Sequence, residues 1–351
     1  MAYTNIDDPS AYFQTALYSG NGSNGHVITN DGNSDLQPDF FWQKRRNEAR
    51  NHILIDTSRG GASYLASNST AAAGTDYTYV TSFNSDGFTL ASGDTSSNNA
   101  SGTYVAWQWK ANGGTTASNS DGSITSTVQA NQDAGFSIVT YTGTGNTATV
   151  GHGLGVAPKI IIGKRRSQAA NWWVGGSILT SAQTLYLNLT NAIDNVGEAG
   201  IFNVTTSTTF KLGTDTNRNA YNATNVAYCF AEKQGYSKFG SYVGNGNADG
   251  PFVYTGFKPA FIMFKKSSDS GDNWMMYDNK RPGFNVTDEA LHPNSSAAEY
   301  DNANANLDIL SNGFKLRSSF GWVNQNTHTY IYMAFAENPF VTSTGIPATA
   351  R

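Results

Sequence analysis

The sequence has few charged residues, a single cysteine and no long apolar run, and each shortage excludes a class of protein. Asp, Glu, Lys and Arg make up 14% of the 351 residues, against roughly 25% in an average soluble chain. Cys229 is the single cysteine, so neither an intrachain disulfide nor a cysteine-based zinc site is expected. A membrane-spanning helix needs about 20 consecutive apolar residues, and no such run occurs. The first residues lack a basic segment followed by an apolar one, so we expect no secretory signal.

The residues that are abundant indicate a folded protein with a neutral polar surface. Aromatic residues account for 13% of the chain and glycines number 36, while Ser, Thr and Asn take the place of charge. Aromatic side chains supply apolar surface to bury, which argues against disorder. The formal net charge of −4 argues against nonspecific nucleic-acid binding, which requires a basic surface. We therefore expect neither nucleic acid nor membrane insertion among the partners.

Five landmarks recur three times along the chain in the same order, which predicts three copies of one domain. Each copy begins with an aromatic strand that ends in Gly-x-Gly, and then has a proline with a lysine six positions later. An asparagine, a Phe-x-Leu segment and an aromatic closing strand follow. The Gly-x-Gly segments are 20–22, 143–145 and 244–246, and the Pro–Lys pairs are Pro38 and Lys44, Pro158 and Lys164, and Pro259 and Lys265. Copies of roughly a hundred residues have the length of independent domains.

The pattern within each copy predicts an all-β fold. Its segments are short, rich in β-branched and aromatic residues, and bounded by Gly, Asn, Asp and Pro, as strands and turns are. The best helix candidate, 44–50, is short and lies between strand-like runs. We therefore predict three tandem antiparallel β-sandwich domains of jelly-roll type at 1–112, 135–235 and 236–351, the last with a C-terminal tail. The Gly-, Ser-, Thr- and Asn-rich segment 113–134 is predicted to be a linker.

Two motifs that suggest ligands are better explained by turns. The segment 20–25 matches G-x-G-x-x-G, but no helix follows to hold a pyrophosphate, so we predict a tight turn with positive φ. The segment 30–35 has oxygen-bearing side chains like part of a calcium loop, but it lacks the final Glu and is absent from the other copies. Turn formation by Asn and Asp explains it without a metal. Whether calcium binds stays open, and no metal or cofactor is predicted.

No catalytic residue is predicted, and four residues are offered as contacts for a ligand or partner. Lys44, Lys164 and Lys265 are each followed by a basic residue, which suggests an anion or sugar-acid contact made three times. The alternative is that these charges mark the end of each strand. His152 lies in a glycine-rich turn, where an imidazole binds a ligand or caps a loop. No Gly-x-Ser-x-Gly motif is present, and Cys229 lies within an apolar strand, so we expect it to be buried and inert.

The segments 2–18, 152–158 and 227–242 resemble an uncharacterised repeat family encoded by tailed bacteriophages, many of them marine or infecting cyanobacteria. The resemblance extends over nearly the whole chain and implies a structural protein of the virion, often fibre-like or spike-like. It brings no catalytic residues. The low charge suits such a setting, because seawater screens ion pairs within a few ångströms.

Three functions remain open at this point. The first is a non-enzymatic tail fibre or spike component that contacts a glycan or protein of the host surface, as a homotrimer bound to other phage structural proteins. The second is a capsid decoration or cement protein, and the third is a depolymerase of surface polysaccharide. The first two place the protein on the phage particle, after synthesis in the host cytoplasm.

Overall fold

The computed structural model describes residues 3–76, 79–180, 182–197, 204–301 and 304–349, and their regular secondary structure is almost entirely β-strand. The all-β prediction is therefore confirmed. Among the described residues, no helix is long and apolar enough to cross a membrane.

The strands fall into three groups that coincide with the three sequence repeats. The first repeat has a 3-10 helix at Pro9–Ala11 and the strands β1 (Phe13–Ser19), β2 (His26–Ile28), β3 (Phe40–Arg45), β4 (Ile53–Asp56), β5 (Ser63–Leu65), β6 (Gly74–Thr75), β7 (Val80–Phe83), β8 (Phe88–Leu90) and β9 (Thr103–Trp109). The second has β10 (Ala117–Asn119), β11 (Ser126–Asn131), β12 (Phe136–Thr142), β13 (Ala148–Gly151), β14 (Ile160–Arg165), β15 (Trp173–Gly175), β16 (Gln183–Tyr186), β17 (Asp194–Asn195), β18 (Thr209–Leu212), α1 (Thr216–Asn219) and β19 (Thr224–Phe230). The third has β20 (Ser237–Val243), β21 (Phe252–Tyr254), β22 (Phe257–Lys266), β23 (Met275–Asp278), β24 (Glu289–Ala290), β25 (Tyr300–Asp301), β26 (Leu307–Leu310), β27 (Gly313–Leu316), α2 (Gly321–Asn324) and β28 (Thr329–Pro339).

Each repeat contains a large antiparallel sheet in which the last strand of the repeat pairs between two earlier ones. The strand orders are β1-β9-β3-β4-β5-β6, β12-β19-β14-β15-β16-β17 and β20-β28-β22-β23. The register is equivalent, because the opening strand pairs Tyr18 with Tyr104, Tyr141 with Asn225 and Tyr242 with Tyr330. These registers allow residues of the three repeats to be compared position by position.

A smaller sheet faces each large one, and apolar side chains fill the space between. The smaller sheets are β2-β8-β7, β13-β18 and β21-β27-β26. In the first repeat, Tyr18 and Phe41 of the large sheet share a buried cluster with Phe88 and Leu90 of the small one. Alternate residues of the large-sheet strands point the other way, as strand geometry requires, and these form a second core.

That second core is shared by all three repeats and marks a pseudo-threefold axis. Trp109, Phe230 and Phe335 occupy equivalent positions on the three closing strands. Their ring centroids are 6.4 Å apart for Trp109–Phe230, 5.6 Å for Trp109–Phe335 and 5.8 Å for Phe230–Phe335. Because three equivalent rings contact one another, the three large sheets surround a common axis. Burying three large aromatic side chains there accounts for several kcal/mol of stability, at about 1.5–3 kcal/mol each.

The predicted linker is wrong, since much of segment 113–134 is strand. β10 and β11 extend the second large sheet beyond β12, in the order β10-β11-β12. The turn that leads into them is held by Asp39, a fully buried carboxylate that accepts hydrogen bonds from the main-chain N–H groups of Ala111, Gly113 and Gly114. Composition concealed these strands because their exposed face carries Ser, Thr and Asn. The segment 44–50, which the sequence argued against as a helix, is not helical, because β3 continues to Arg45 and no helix follows.

Candidate functional site

The three lysines that were predicted as contact residues are fully buried in equivalent positions. Each Nζ atom donates to the carbonyl of the next residue, at 2.6 Å for Lys44, 3.0 Å for Lys164 and 2.6 Å for Lys265. Lys164 also donates to the carbonyls of Thr70 and Ala170, at 3.0 and 2.9 Å. The lysines therefore hold the loops that follow their strands. Each lysine is the second-to-last residue of its strand, in agreement with the strand-end interpretation, and its amine is directed at main-chain carbonyls.

Burial changes the acid–base behaviour of these lysines. Removal from water lowers the pKa of Lys44, Lys164 and Lys265 to about 8, because the charged ammonium loses its hydration. Main-chain carbonyls accept a hydrogen bond from the amine whether or not it is charged. The loops therefore keep their anchor through neutral pH.

His152 is also buried and acts inside the fold. Its Nδ1 accepts a hydrogen bond from the N–H of Leu154 at 3.2 Å, and its Nε2 lies 3.2 Å from the carbonyl oxygen of Thr206. With Nδ1 as acceptor, Nε2 carries the proton and donates to that carbonyl. Burial lowers the pKa of His152, which favours this neutral form. The loop-capping interpretation thus describes its contacts.

The Gly-x-Gly loops are held by equivalent hydrogen bonds in all three repeats. One buried asparagine clamps each loop: Asn98, Asn219 and Asn324 are all 0% exposed. Their Oδ1 atoms accept from the middle residue of the loop, at 3.0 Å from Asn21 N, 2.8 Å from Thr144 N and 2.8 Å from Asn245 N. Their Nδ2 atoms donate to two or more carbonyls on either side of the loop.

Both positions of each Gly-x-Gly loop require glycine for steric reasons. A Cβ on the first glycine would lie 2.2–2.3 Å from a carbonyl oxygen of the clamp segment, at Gly20, Gly143 and Gly244. The second glycine has φ of +72°, +74° and +65° at Gly22, Gly145 and Gly246, a region that L-residues with a Cβ avoid. The predicted tight turn with positive φ is confirmed. Its backbone is fixed by the clamp in every repeat.

The exposed tips of these loops differ between repeats. The first carries Ser23 and Asn24, the second Asn146 and Thr147, and the third Asn247 and Asp249, all exposed. The position two residues after the clamp asparagine differs in the second repeat, where Tyr221 packs beside Gly145 and is 76% exposed. The equivalent residue is Ala100 in the first repeat and Asn326 in the third. One buried framework thus presents three chemically different surfaces.

The junctions between repeats are built from a second set of equivalent positions. At the first junction, Asp56 and Arg59 form a fully buried ion pair at 2.5 Å, and Tyr228 of the next repeat donates to Asp56 Oδ2 at 2.7 Å. Where the third repeat meets the first, Asp278 and Arg281 pair at 2.7 Å, and Trp107 Nε1 donates to Asp278 Oδ2 at 3.0 Å.

The junction between the second and third repeats replaces the charges by apolar residues. The positions of Asp56 and Arg59 are taken there by Gly176 and Leu179, and the position of Tyr228 by Met333. Leu179 and Met333 are both buried in the shared core. At the two charged junctions a hydroxyl or an indole N–H donates to the carboxylate, and at the third junction the equivalent position is occupied by the buried Met333.

Two polar clefts open near the ends of the strands. One of about 440 Å³ is lined by Tyr3, Tyr12, Asp133, Lys233 and Gln234, where the N-terminal segment crosses the turns before β12 and β20. The other, of about 270 Å³, lies between the first and third repeats. The calcium-like segment borders this second cleft. Its Asp31 pairs with Lys280 at 2.8 Å, and among the described residues no group of three or more potential ligands is placed to hold a metal ion.

A family described as a domain of unknown function, DUF7483, matches residues 8–339. The chain belongs to the DUF7483 family. No curated protein matches it. The match spans all three repeats.

The clamp asparagines of this DUF7483 chain were missed by the sequence analysis, although a signal was present. Asn98, Asn219 and Asn324 each lie six positions before an equivalent residue of the closing strand, which is Tyr104, Asn225 or Tyr330. In this composition asparagine is common, so a single one attracts no attention. Its recurrence at a fixed distance from a landmark would have identified it.

Cys229 lies in β19 and is fully buried. Burial raises the pKa of its thiol. The expected buried position is confirmed.

Proposed function

We propose that the protein is a non-enzymatic structural component of a bacteriophage particle, of the tail fibre or spike type, that contacts the host surface. The resemblance to virion proteins supports a location on the phage particle, and the clamped loops support a role in contacting the host surface. Rigid scaffolds that carry variable loops are the usual form of recognition proteins. Asn, Ser, Thr and Tyr are side chains that such surfaces favour, because they offer hydrogen bonds and area at small entropic cost.

The observation that carries this proposal is that the buried clamps of the three loops are equivalent, whereas the exposed residues at the loop tips differ. Three buried asparagines hold three loops in one backbone shape, yet the exposed residues of those loops differ, and Tyr221 stands out at 76% exposure. A purely architectural loop has no reason to combine a conserved framework with divergent tips. A contact surface for a partner has that reason, since rigid loops lose little entropy on binding.

A capsid decoration protein is the second candidate, favoured by the closed arrangement of the repeats. Three like sheets already surround one axis within a single chain, so one copy fits a threefold position of a shell without further subunits. The homotrimer predicted for a fibre remains a prediction. Static light scattering on the purified protein tests it, and a monomer at all concentrations would contradict it.

Particle imaging and cell binding test the proposal. A gold-labelled antibody against the protein should decorate phage tails, whereas decoration of the shell favours the second candidate. Purified protein should bind host cells, and Tyr221→Ala should weaken that binding without changing the melting temperature. Ile346→Ala, at an exposed residue of the C-terminal tail, is the matched control and should bind like the wild type. No binding of the wild type at any concentration would overturn the host-contact role.

A further inference from the structure

Three side chains of the third repeat meet in an arrangement that neither the repeat framework nor the contact surface explains. Lys258 lies at the start of β22, Asn279 directly follows β23, and Glu337 lies near the end of β28. The Glu337 carboxylate bridges the other two: its Oε1 is 3.1 Å from Lys258 Nζ, and its Oε2 accepts a hydrogen bond from Asn279 Nδ2 at 2.6 Å. An amine and a carboxamide are thus held against one proton-accepting group.

Comparison of the repeats indicates that the fold does not need this trio. The equivalent residues are Gln37, Thr57 and Ala111 in the first repeat, and Ala157, Ser177 and Glu232 in the second. Neither set contains an amine or a carboxamide that faces a carboxylate in the same way. The same sheet forms in all three repeats, so the trio is an addition specific to the third.

The trio lies at the wall of the cleft of about 270 Å³, where the Glu337 side chain is 30% exposed and its two partners are mostly covered. Lys258 is 8% exposed and Asn279 is 5% exposed. The neighbouring pair in the sheet is Phe257 and Pro339, both buried. Asn279 is further fixed by its main-chain N–H, which donates to the carbonyl of Ala260 at 2.9 Å. Because one carboxylate contacts both groups, the amine and the carboxamide lie on the same side of the sheet, an arrangement that favours an intramolecular reaction.

We propose that Lys258 and Asn279 become joined by an intramolecular amide bond whose formation Glu337 assists by proton transfer. Glu337 takes a proton from the Lys258 ammonium, and the freed electron pair of Nζ forms a bond to Cγ of Asn279. The C–Nδ2 bond then breaks, and the departing nitrogen takes up the second proton released by Nζ and the proton held by Glu337. The products are the amide and one ammonium ion, so charge and atoms balance and nothing is oxidised or reduced.

Such a bond would tie β22 to the turn after β23 beside the closing strand of the chain. A chain with one cysteine cannot make this kind of link with a disulfide. A covalent link between neighbouring strands limits the unfolded ensemble and resists forced separation of the strands. That property is independent of which partner the loops bind.

Mass spectrometry of the full chain tests the proposal. The wild-type protein should weigh less than its sequence by one ammonia. Trypsin does not cut between Lys258 and Pro259, so the peptides 239–265 and 267–280 should appear as one branched species that has lost ammonia. An unchanged mass, with the two peptides recovered separately after prolonged incubation at neutral pH, would overturn the proposal.

Three variants separate this reaction from an ordinary ion pair. Glu337→Gln keeps the shape but cannot accept the proton, and Asn279→Ala lacks the group that is attacked. Lys258→Arg retains the charge opposite Glu337 but has no amine. All three should show the full mass of their sequence. Formation of the branched peptide in Glu337→Gln would refute the role of Glu337, and its formation in either of the other two would refute the assigned linkage.

Discussion

The buried ion pair at the first junction gives the sharpest stability prediction. Arg59 and Asp56 are both 0% exposed, and Arg59 also donates to the carbonyl of Leu54 at 3.2 Å and to the Tyr228 hydroxyl at 3.1 Å. Arg59→Leu therefore leaves a carboxylate buried without its cation. Breaking a buried pair in this way costs about 3–5 kcal/mol. Against a typical total of about 5–15 kcal/mol, we expect a large fall in the free energy of unfolding.

The second junction shows how this loss should be reversed. Gly176, Leu179 and Met333 fill the same positions there without charge. We therefore expect the triple change Asp56→Ala, Arg59→Leu and Tyr228→Met to recover most of the stability that Arg59→Leu loses. Replacing a buried pair by apolar residues of similar volume is often neutral or stabilising.

Urea denaturation followed by tryptophan fluorescence measures both effects. Arg50→Leu is the matched control, because Arg50 pairs with Glu48 at the surface, where such pairs contribute at most about 1 kcal/mol. A single Arg59→Leu change that costs no more than this control would refute the reasoning. So would a triple variant less stable than the single one, because the coupling between the three positions would then have the wrong sign.

Four further changes test other parts of the structure by the same denaturation assay. Asn219→Ala removes a buried clamp and should cost about 2–4 kcal/mol, since several hydrogen-bonding groups of the loop lose their partner; a loss below about 1 kcal/mol would contradict the clamp. Gly143→Ala should destabilise the protein, because its Cβ would lie 2.3 Å from a carbonyl oxygen, whereas Gly61→Ala, where a Cβ meets nothing within 4 Å, should have little effect; equal effects would contradict the steric argument. Phe230→Ala should lower the free energy of unfolding by about 3–5 kcal/mol, because it opens a cavity on the axis. A loss as small as that of a surface substitution would contradict a buried aromatic core on the axis. Burial lowers the pKa of Lys164 from its usual 10.5 to about 8. Between about pH 8 and 10.5 the unfolded chain therefore binds more protons than the folded one, and the contribution of Lys164 to the free energy of unfolding rises with pH. Lys164→Met should weaken this rise, and an unchanged dependence of stability on pH would refute the argument.

The sequence predicted the strands and the repeat, because both follow from patterns that are local or periodic. The Gly-x-Gly turns and the Phe-x-Leu strands were found where they were expected. The shared core could not be found in this way, since Trp109, Phe230 and Phe335 meet only when the three sheets assemble. Each ring is simply one apolar residue of its own strand in the sequence.

The lysines illustrate the opposite difficulty. Lys44, Lys164 and Lys265 recur strictly, and the recurring charge suggests either a ligand contact or the end of a strand. In the structure each amine is satisfied by main-chain carbonyls, a use that no side-chain motif reveals. The recurrence shows that these positions matter but does not show their role. Every residue has a main-chain carbonyl, so the groups that accept hydrogen bonds from the lysines leave no signal in the sequence.

The junctions explain why three such similar repeats close in one order. A ring of identical units would be free to pair any repeat with any other, as heterologous interfaces allow. Here a carboxylate accepts a hydrogen bond from a hydroxyl or an indole N–H at two junctions, and the equivalent positions at the third are the buried Leu179 and Met333. Reversing the order of the repeats would place Asp56 beside Met333, a weak acceptor, and Leu179 beside Trp107, whose buried indole N–H would lose its acceptor. Either exchange costs at least about 1–3 kcal/mol per unsatisfied group. The differences between the repeats thus specify their neighbours inside the ring, while the differences between their loop tips remain available for contacts outside it.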